Sequence, residues 1–148
     1  MPVRSCEEKD LPAVVELITQ LAEVATGGKD FELSKLRDIY VKMAAQPDTY
    51  ANYVYELDGK VVGFISIVFY VTFFHRVGTA QVNELVVNDG YRGKGIGHDL
   101  MKAAEEEAKR RKVDELEVGT EKDNLPAQKF YRKYGFDEEY VLFGMEFD

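Results

Sequence analysis

A chain of 148 residues is long enough for one domain around a single sheet and too short for two. Nineteen basic residues against twenty-seven acidic ones leave a net charge of -8. That balance argues against broad binding to nucleic acid phosphates and is compatible with a cationic partner or with simple solubility. One cysteine and two histidines exclude an internal disulfide and are too few for a structural zinc site, so no metal is expected.

The N-terminal residues Met1-Pro2-Val3-Arg4-Ser5-Cys6-Glu7-Glu8 place charges where a signal peptide needs an apolar core, and a cytoplasmic protein is expected. These residues also supply a short first strand that includes Cys6. From Asp10 to Ala25, Leu11, Val14, Val15, Ile18, Leu21 and Ala22 recur at helical spacing. Asp10 is the candidate N-cap, Pro12 sits in the first turn, and Gly27-Gly28 is the expected stop. A second helix is expected from Glu32 to Ala45, with Leu33, Leu36, Ile39, Tyr40 and Met43 in one stripe and Pro47 ending it.

Tyr53 to Leu57 and Lys60 to Phe69 read as a hairpin joined by Asp58-Gly59, a pair suited to the two positive φ angles of a type I′ turn. The stretch Val61 to Phe74, broken by Gly63 and Ser66, has strand composition, and no membrane span is expected. A further strand, Gly78 to Val87, leads through Asn88-Asp89-Gly90-Tyr91 into Arg92-Gly93-Lys94-Gly95-Ile96-Gly97. Helical spacing then runs from Ile96 to about Lys112, with Glu105-Lys109, Glu106-Arg110 and Glu107-Arg111 as i,i+4 pairs on a solvated face. A strand from Glu115 to Thr120, a helix from Asn124 to Tyr134 stopped by Gly135, and a last strand from Tyr140 to Phe147 complete the order βααβββαβαβ. Residues 1–148 are expected to form one α/β domain with a mixed central sheet flanked by helices.

The glycine-rich segment lies between a strand end and a helix start, where unpaired N–H groups and the helix dipole favour an anion. Its glycines remove side chains that would hold a pyrophosphate away from those amides, and Arg92 and Lys94 add charge. It is not a P-loop, because Asn88 and Gly95 stand where Gly and Ser or Thr would be needed. It is not a dinucleotide fingerprint either, because His98 or Leu100 falls at the third glycine.

Arg92-x-x-Gly95-x-Gly97 resembles the acetyl-CoA signature of the GNAT superfamily of N-acetyltransferases. The resemblance extends to Leu85-Val86-Val87 upstream and to Asn124, Ala127, Phe130-Tyr131 and Gly135-Phe136 downstream. It implies a fold with a splayed strand pair and acetyl-CoA as acyl donor, held by Leu85, Val86, Val87, Arg92, Gly93, Lys94, Gly95, Ile96, Gly97, Asn124 and Ala127. By the same resemblance Leu85 and Val87 pair with the pantetheine arm through their backbone, Asn124 hydrogen-bonds it, and Ala127 leaves room for it. Helix capping by Asn124 and core filling by Ala127 are the structural alternatives.

Amide formation from a thioester requires a neutral amine, a stabilised oxyanion and a proton for the thiolate. Tyr131, protonated at pH 7, is the candidate acid, and the Val87 N–H is the candidate oxyanion donor. An amine of pKa near 10.4 pays roughly 4.6 kcal/mol to be neutral at pH 7, so a base is needed. Glu84, the carboxylate of the Gly78 to Val87 strand, is the candidate, acting through water. Related enzymes place this acid at positions matching Gln81 or Asn83, of opposite parity unless a β-bulge intervenes.

The expected reaction is direct attack in a ternary complex, without an acyl-enzyme on Cys6. The resemblance implies that the first two helices and the loop between the central strands choose the acceptor, which makes Phe31, Tyr40, Phe74 and His75 candidate contacts, with aromatic core and an exposed turn as the alternative. His98 is a further candidate neighbour of a phosphate. The acceptor is expected to be a small-molecule amine such as a polyamine, or else a protein lysine or N-terminus. A non-catalytic acyl-CoA-binding regulatory module is the reading from another class. An exposed strand from Tyr140 to Phe147 makes a homodimer a further expectation.

Overall fold

The computed structural model describes residues 2–26 and 31–148. The chain runs β1 (Val3–Ser5), a 3-10 turn (Glu8–Asp10), α1 (Leu11–Thr26), α2 (Leu33–Ala44), β2 (Tyr50–Leu57), β3 (Lys60–Tyr70) and β4 (Thr79–Val87). A second 3-10 turn (Asp89–Tyr91) precedes α3 (Ile96–Arg110), β5 (Glu115–Val118) and α4 (Leu125–Tyr134). The five strands form one sheet in sequential order, antiparallel from β1 to β4 and parallel between β4 and β5. The expected α/β class and mixed sheet are therefore present. The expected helix stop at Gly27-Gly28 lies outside the described residues.

Local chemistry accounts for most boundaries. Asp58 and Gly59 have φ of 51° and 77°, the two positive angles that a type I′ turn requires. Asp10 does not cap α1 as expected. Its carboxylate accepts from the Glu7 N–H at 2.8 Å and from both Arg4 terminal nitrogens at 2.8 and 2.9 Å, and it closes the 3-10 turn before the helix. Its backbone belongs to that turn, so the side chain is aimed back toward β1.

The sheet has helices on both faces. Ile96, Leu100, Met101, Ala104 and Ala108 of α3 pack with Ile65, Ile67 and Phe69 on one face, joined by Tyr131, Tyr134 and Phe136. Leu11, Val14 and Leu17 of α1 pack with Val54, Phe64 and Val86 on the other, with Leu33, Leu36 and Tyr40 from α2 around them. Cys6 follows β1 rather than lying in it and is buried in this second cluster.

The last expected strand differs. Residues 137–148 take no place in the sheet and make no backbone hydrogen bond among the described residues. Their apolar side chains are exposed, from 65% at Tyr140 to 90% at Phe143.

Candidate functional site

The pairing of β4 with β5 begins at Thr79↔Glu115 and ends at Val82↔Val118. Beyond Val82, β4 continues for five residues with no neighbour on that side, so the two parallel strands open into a gap. The Asn88 N–H bonds the Val62 carbonyl at 2.8 Å. Antiparallel alternation then turns Val86 toward β3 and turns the backbone groups of Leu85 and Val87 away from it, into the gap. Arg92 Nε donates to the Val87 carbonyl at 3.3 Å from that side.

The glycine-rich segment closes the end of the gap. Gly93 and Gly95 have φ of 76° and 82°, and an added Cβ would meet nothing within 4 Å at either position. Open space combined with left-handed backbone is what glycine tolerates and other residues do not. Gly95 is the N-cap of α3 and offers no side chain to its first turn. The Asp99 N–H is the first to find a helical carbonyl, that of Gly95 at 3.0 Å, and the N–H groups of residues 93–98 donate to no group among the described residues. This row of free donors fits the pyrophosphate of a coenzyme A, with the helix dipole adding to the attraction.

Charge is held close by. Arg92 pairs with Asp89 at 2.9 Å, and the ammonium groups of Lys94 and Lys60 lie 5.4 and 5.5 Å from the Tyr91 ring centroid. Lys60 and Tyr91 were not singled out in the sequence, because Lys60 arrives through the register of the β2–β3 hairpin and no local pattern marks it. Gly97 sits where α3, α4 and β4 meet: a Cβ there would lie 3.5 Å from Phe130 and 3.7 Å from Val87.

The downstream residues line up on α4. Asn124 caps this helix, accepting from the Ala127 N–H at 3.2 Å, so the structural role is realised and its amide N–H₂ remains a donor. Tyr131 is packed edge-on between Phe130 and Phe136, with ring centroids 5.6 and 5.9 Å away. Its hydroxyl has no hydrogen-bond partner among the described residues, and burial raises its pKa above the ordinary phenol value. His98 lies against the Tyr134 ring at 5.1 Å, within the α3–α4 contact.

Glu84 lies across the sheet from these groups. The β3–β4 register passes from Ser66↔Glu84 to Ile67↔Val82, so Asn83 is the extra residue of a β-bulge. Gln81 pairs with Val68 and Glu84 with Ser66, two residues apart on β3, so the bulge gives Gln81 and Glu84 the same parity. The parity conflict between Gln81 and Glu84 therefore disappears. Glu84 shares the face of Phe64 and Val86, next to α1, while Tyr131 packs on the α3 face. Burial, with no compensating charge, raises the Glu84 pKa. Beside it, the Ser66 hydroxyl donates to Asn52 Oδ1 at 2.6 Å and adds a polar row that the sequence did not reveal.

The expected acceptor contacts do not converge. The hydroxyl of Tyr40, on α2, donates to the Cys6 carbonyl at 3.2 Å, and Phe31 lies two residues before α2. His75 is held by Thr72, Thr79 and Glu115 at the start of β4 and β5. Eight residues of strand, roughly 26 Å, separate that point from Val87. Phe74 is 93% exposed beside it. Phe74 and His75 thus form an exposed turn and its anchor, far from the glycine cradle.

A sequence profile of the acetyltransferase (GNAT) family matches residues 14–136. The chain belongs to this family. An uncharacterised N-acetyltransferase from Archaeoglobus fulgidus is 34% identical over 136 residues, covering 88% of this chain and 89% of the relative. The aminoalkylphosphonate N-acetyltransferase of Salmonella typhimurium is 27% identical over 146 residues, covering 97% and 91%. Glucosamine-6-phosphate N-acetyltransferase from Arabidopsis thaliana has the same fold, with a TM-score of 0.83 at 20% identity over 99% and 97% of the two chains. This GNAT chain is an acetyltransferase, of a family that takes its acetyl group from acetyl-CoA and delivers it to amines. Among the described residues, no cluster of three metal-ligating side chains exists and no helix is long and apolar enough to cross a membrane.

Proposed function

We propose that the protein acetylates the primary amine of a small molecule by direct attack on acetyl-CoA in a ternary complex. The carrying observation is that Glu84, in the part of β4 that β5 leaves unpaired, shares the α1-side face of Phe64 and Val86, while Tyr131 packs on the α3 side of the sheet. A thioester threaded through that opening meets an acceptor amine from the α1 side and releases its thiolate on the α3 side. Glu84, desolvated and raised in pKa, takes the amine proton through water; Tyr131, kept neutral, supplies the proton to sulfur. The inward-turned Val87 N–H donates to the oxyanion. The backbone N–H groups of residues 93–98, with Arg92 and Lys94, hold the pyrophosphate, and Asn124 and Ala127 line the arm's path.

Cys6 is unsuited to an acyl-enzyme, because burial pushes its thiol up to about 12. A small acceptor is favoured by the full-length relative that acts on aminoalkylphosphonates and by the net charge of -8, which attracts cationic amines. Tyr40, packed on the α1 side of the sheet, and Phe31, close before α2, are the acceptor contacts retained in this reading, and the enzyme works in the cytoplasm. The test is a panel of small amines, polyamines and lysine peptides with acetyl-CoA, reading free thiol and product mass. Turnover restricted to peptides would replace the small-molecule reading, and coenzyme binding without turnover on any amine would remove the enzymatic one.

A further inference from the structure

We propose that Ser66 and Asn52 are positioning residues for Glu84: together they face its carboxyl with an oxygen that can only accept, and so hold the proton that Glu84 takes from the amine. This rests on Glu84 serving as the base. The register sets Asn52 of β2 opposite Ser66 of β3, and Ser66 opposite Glu84 of β4, with no bulge between these residues and Val54, Phe64 and Val86. The three polar side chains therefore form one row on the α1-side face, each about 5 Å from the next at Cβ.

The direction of the hydrogen bonds decides what the row does. Ser66 is 1% exposed, and its hydroxyl donates its one proton to Asn52 Oδ1 at 2.6 Å. The Asn52 amide is fixed in that sense from its other end, where Nδ2 donates to Met43 Sδ at 3.5 Å. A thioether carries no hydrogen to donate, so a reversed amide would turn its carbonyl oxygen onto sulfur and leave it unsatisfied. Only lone pairs remain on Ser66 Oγ, and an ionised Glu84 is likewise an acceptor. Two acceptors that face each other across a strand pair need a hydrogen between them. With Glu84 ionised, a water donating to both oxygens supplies it, and this is the water that relays the amine proton. After transfer, the ammonium N–H bond is broken with its electron pair left on nitrogen, and the new O–H bond of Glu84 donates to Ser66 Oγ.

Among the described residues no charge competes for this carboxyl. The ionisable groups that share the face are Cys6, Tyr40 and Tyr50, a thiol and two phenols, and the Tyr40 hydroxyl is turned to the Cys6 carbonyl. At the β1 edge Arg4 is paired with Asp10 and Glu56. Glu16 and Glu23 of α1 are exposed. So are Lys35, Arg37, Asp38 and Lys42 of α2. Burial raises the Glu84 pKa, and no ion pair offsets it.

Titration of the Glu84 carboxyl by carbon-13 NMR in the full chain without substrates, alongside the pH profile of kcat/KM for the amine, tests the proposal. Ser66→Ala removes the accepting oxygen and should lower the Glu84 pKa by about 0.5–1. Asn52→Leu frees the Ser66 proton for the carboxylate and should lower it further, by about 1–2. With Ser66→Ala added to Asn52→Leu, the value should return to that of Ser66→Ala alone, a reversal that a packing defect does not produce. Ser66→Thr keeps the hydroxyl and should titrate like wild type. The acidic limb of the pH profile should move with the titration in each variant. A Glu84 titration unmoved by Ser66→Ala, or moved upward by Asn52→Leu, overturns the inference. A titration that moves while the limb stays in place overturns Glu84 as the base instead. If Asn52→Leu fails to fold, the contrast of Ser66→Ala with Ser66→Thr decides.

Discussion

Gly63→Ala tests whether the packing of α3 on the sheet sets the position of the phosphate cradle. A Cβ at Gly63 would lie 2.9 Å from Leu100 Cδ1, 3.0 Å from Ile96 Cγ2 and 3.3 Å from Tyr55 Cβ. Leu100 and Ile96 are 0% and 2% exposed, so neither has free space to turn into, and the N-terminal half of α3 must lift off β3. Overpacking of this kind costs about 1–3 kcal/mol, offset by about 0.4–1 kcal/mol from the stiffer unfolded chain. The net loss of about 1–2 kcal/mol corresponds to a melting temperature lower by roughly 3–6 °C. Ile96 is the first residue of α3, directly after Gly95, so its displacement also moves the free N–H groups. The KM for acetyl-CoA should rise about fivefold, the equivalent of roughly 1 kcal/mol of anion binding, while the KM for the amine stays near wild type. Gly97→Ala is the control: its Cβ would make ordinary contact at 3.5 Å with Phe130, and melting should not fall. A Gly63→Ala protein that melts like wild type refutes the packing argument. One that melts lower with an unchanged KM for acetyl-CoA refutes the link from α3 to the cradle.

Three further outcomes follow from the titratable groups. Tyr131→Phe removes a hydroxyl that bonds to nothing described, so melting should be unchanged while kcat falls about 10²-fold; an unchanged kcat with free-thiol detection removes Tyr131 as the acid. Glu84 has a raised folded pKa, so its native state binds the proton more tightly than the unfolded chain, and its favourable contribution below the unfolded pKa is lost as pH rises through the folded one. Glu84→Gln should therefore melt at or above wild type at pH 8, yet lower kcat/KM for the amine and abolish the acidic limb of its pH profile; a lower melting temperature with an intact limb makes Glu84 structural. Asp10 shows the opposite sign. Its 4% exposed carboxylate is held below its ordinary pKa by the Arg4 hydrogen bonds, so its contribution is present above about pH 3.9 and is lost as pH falls through the lowered value. Asp10→Asn should cost about 2–3 kcal/mol at pH 7, below the cost of a fully buried pair because Arg4 keeps 27% exposure, and should flatten the acid limb of a urea-unfolding series.

What could be read from the sequence was what neighbouring residues decide. Asp58-Gly59 fixes its turn by two dihedrals, Gly93 and Gly95 by theirs, and Asn124 caps the helix it precedes, so the hairpin, the cradle and α4 were recognisable from short windows. Features made by distant pairing were not. The bulge at Asn83 exists because Ile67 meets Val82 while Ser66 meets Glu84, and neither strand alone carries that information. The family resemblance suggested that Phe74 and His75 face the acceptor with Tyr40, with an exposed turn as the alternative, and the topology sends their loop to the far end of β4.

The segment from Tyr140 to Phe147 combines both situations. Its β-branched and aromatic composition specifies an extended strand locally, and that is why it was expected to complete the sheet. A strand, however, is completed by a neighbour, and the choice of neighbour is not written in the segment. With apolar groups on both faces and no ladder to its own β5, the arm has the chemistry of an interior strand in an exterior position. A surface helix can satisfy its backbone alone, whereas an extended arm leaves its backbone groups to solvent or to a neighbouring strand, and the contact this one makes with β5 is through side chains, Tyr140 on Glu115. The opening between β4 and β5 near Val87 is set in the same way, by where the pairing of two distant segments ends at Val82 and Val118.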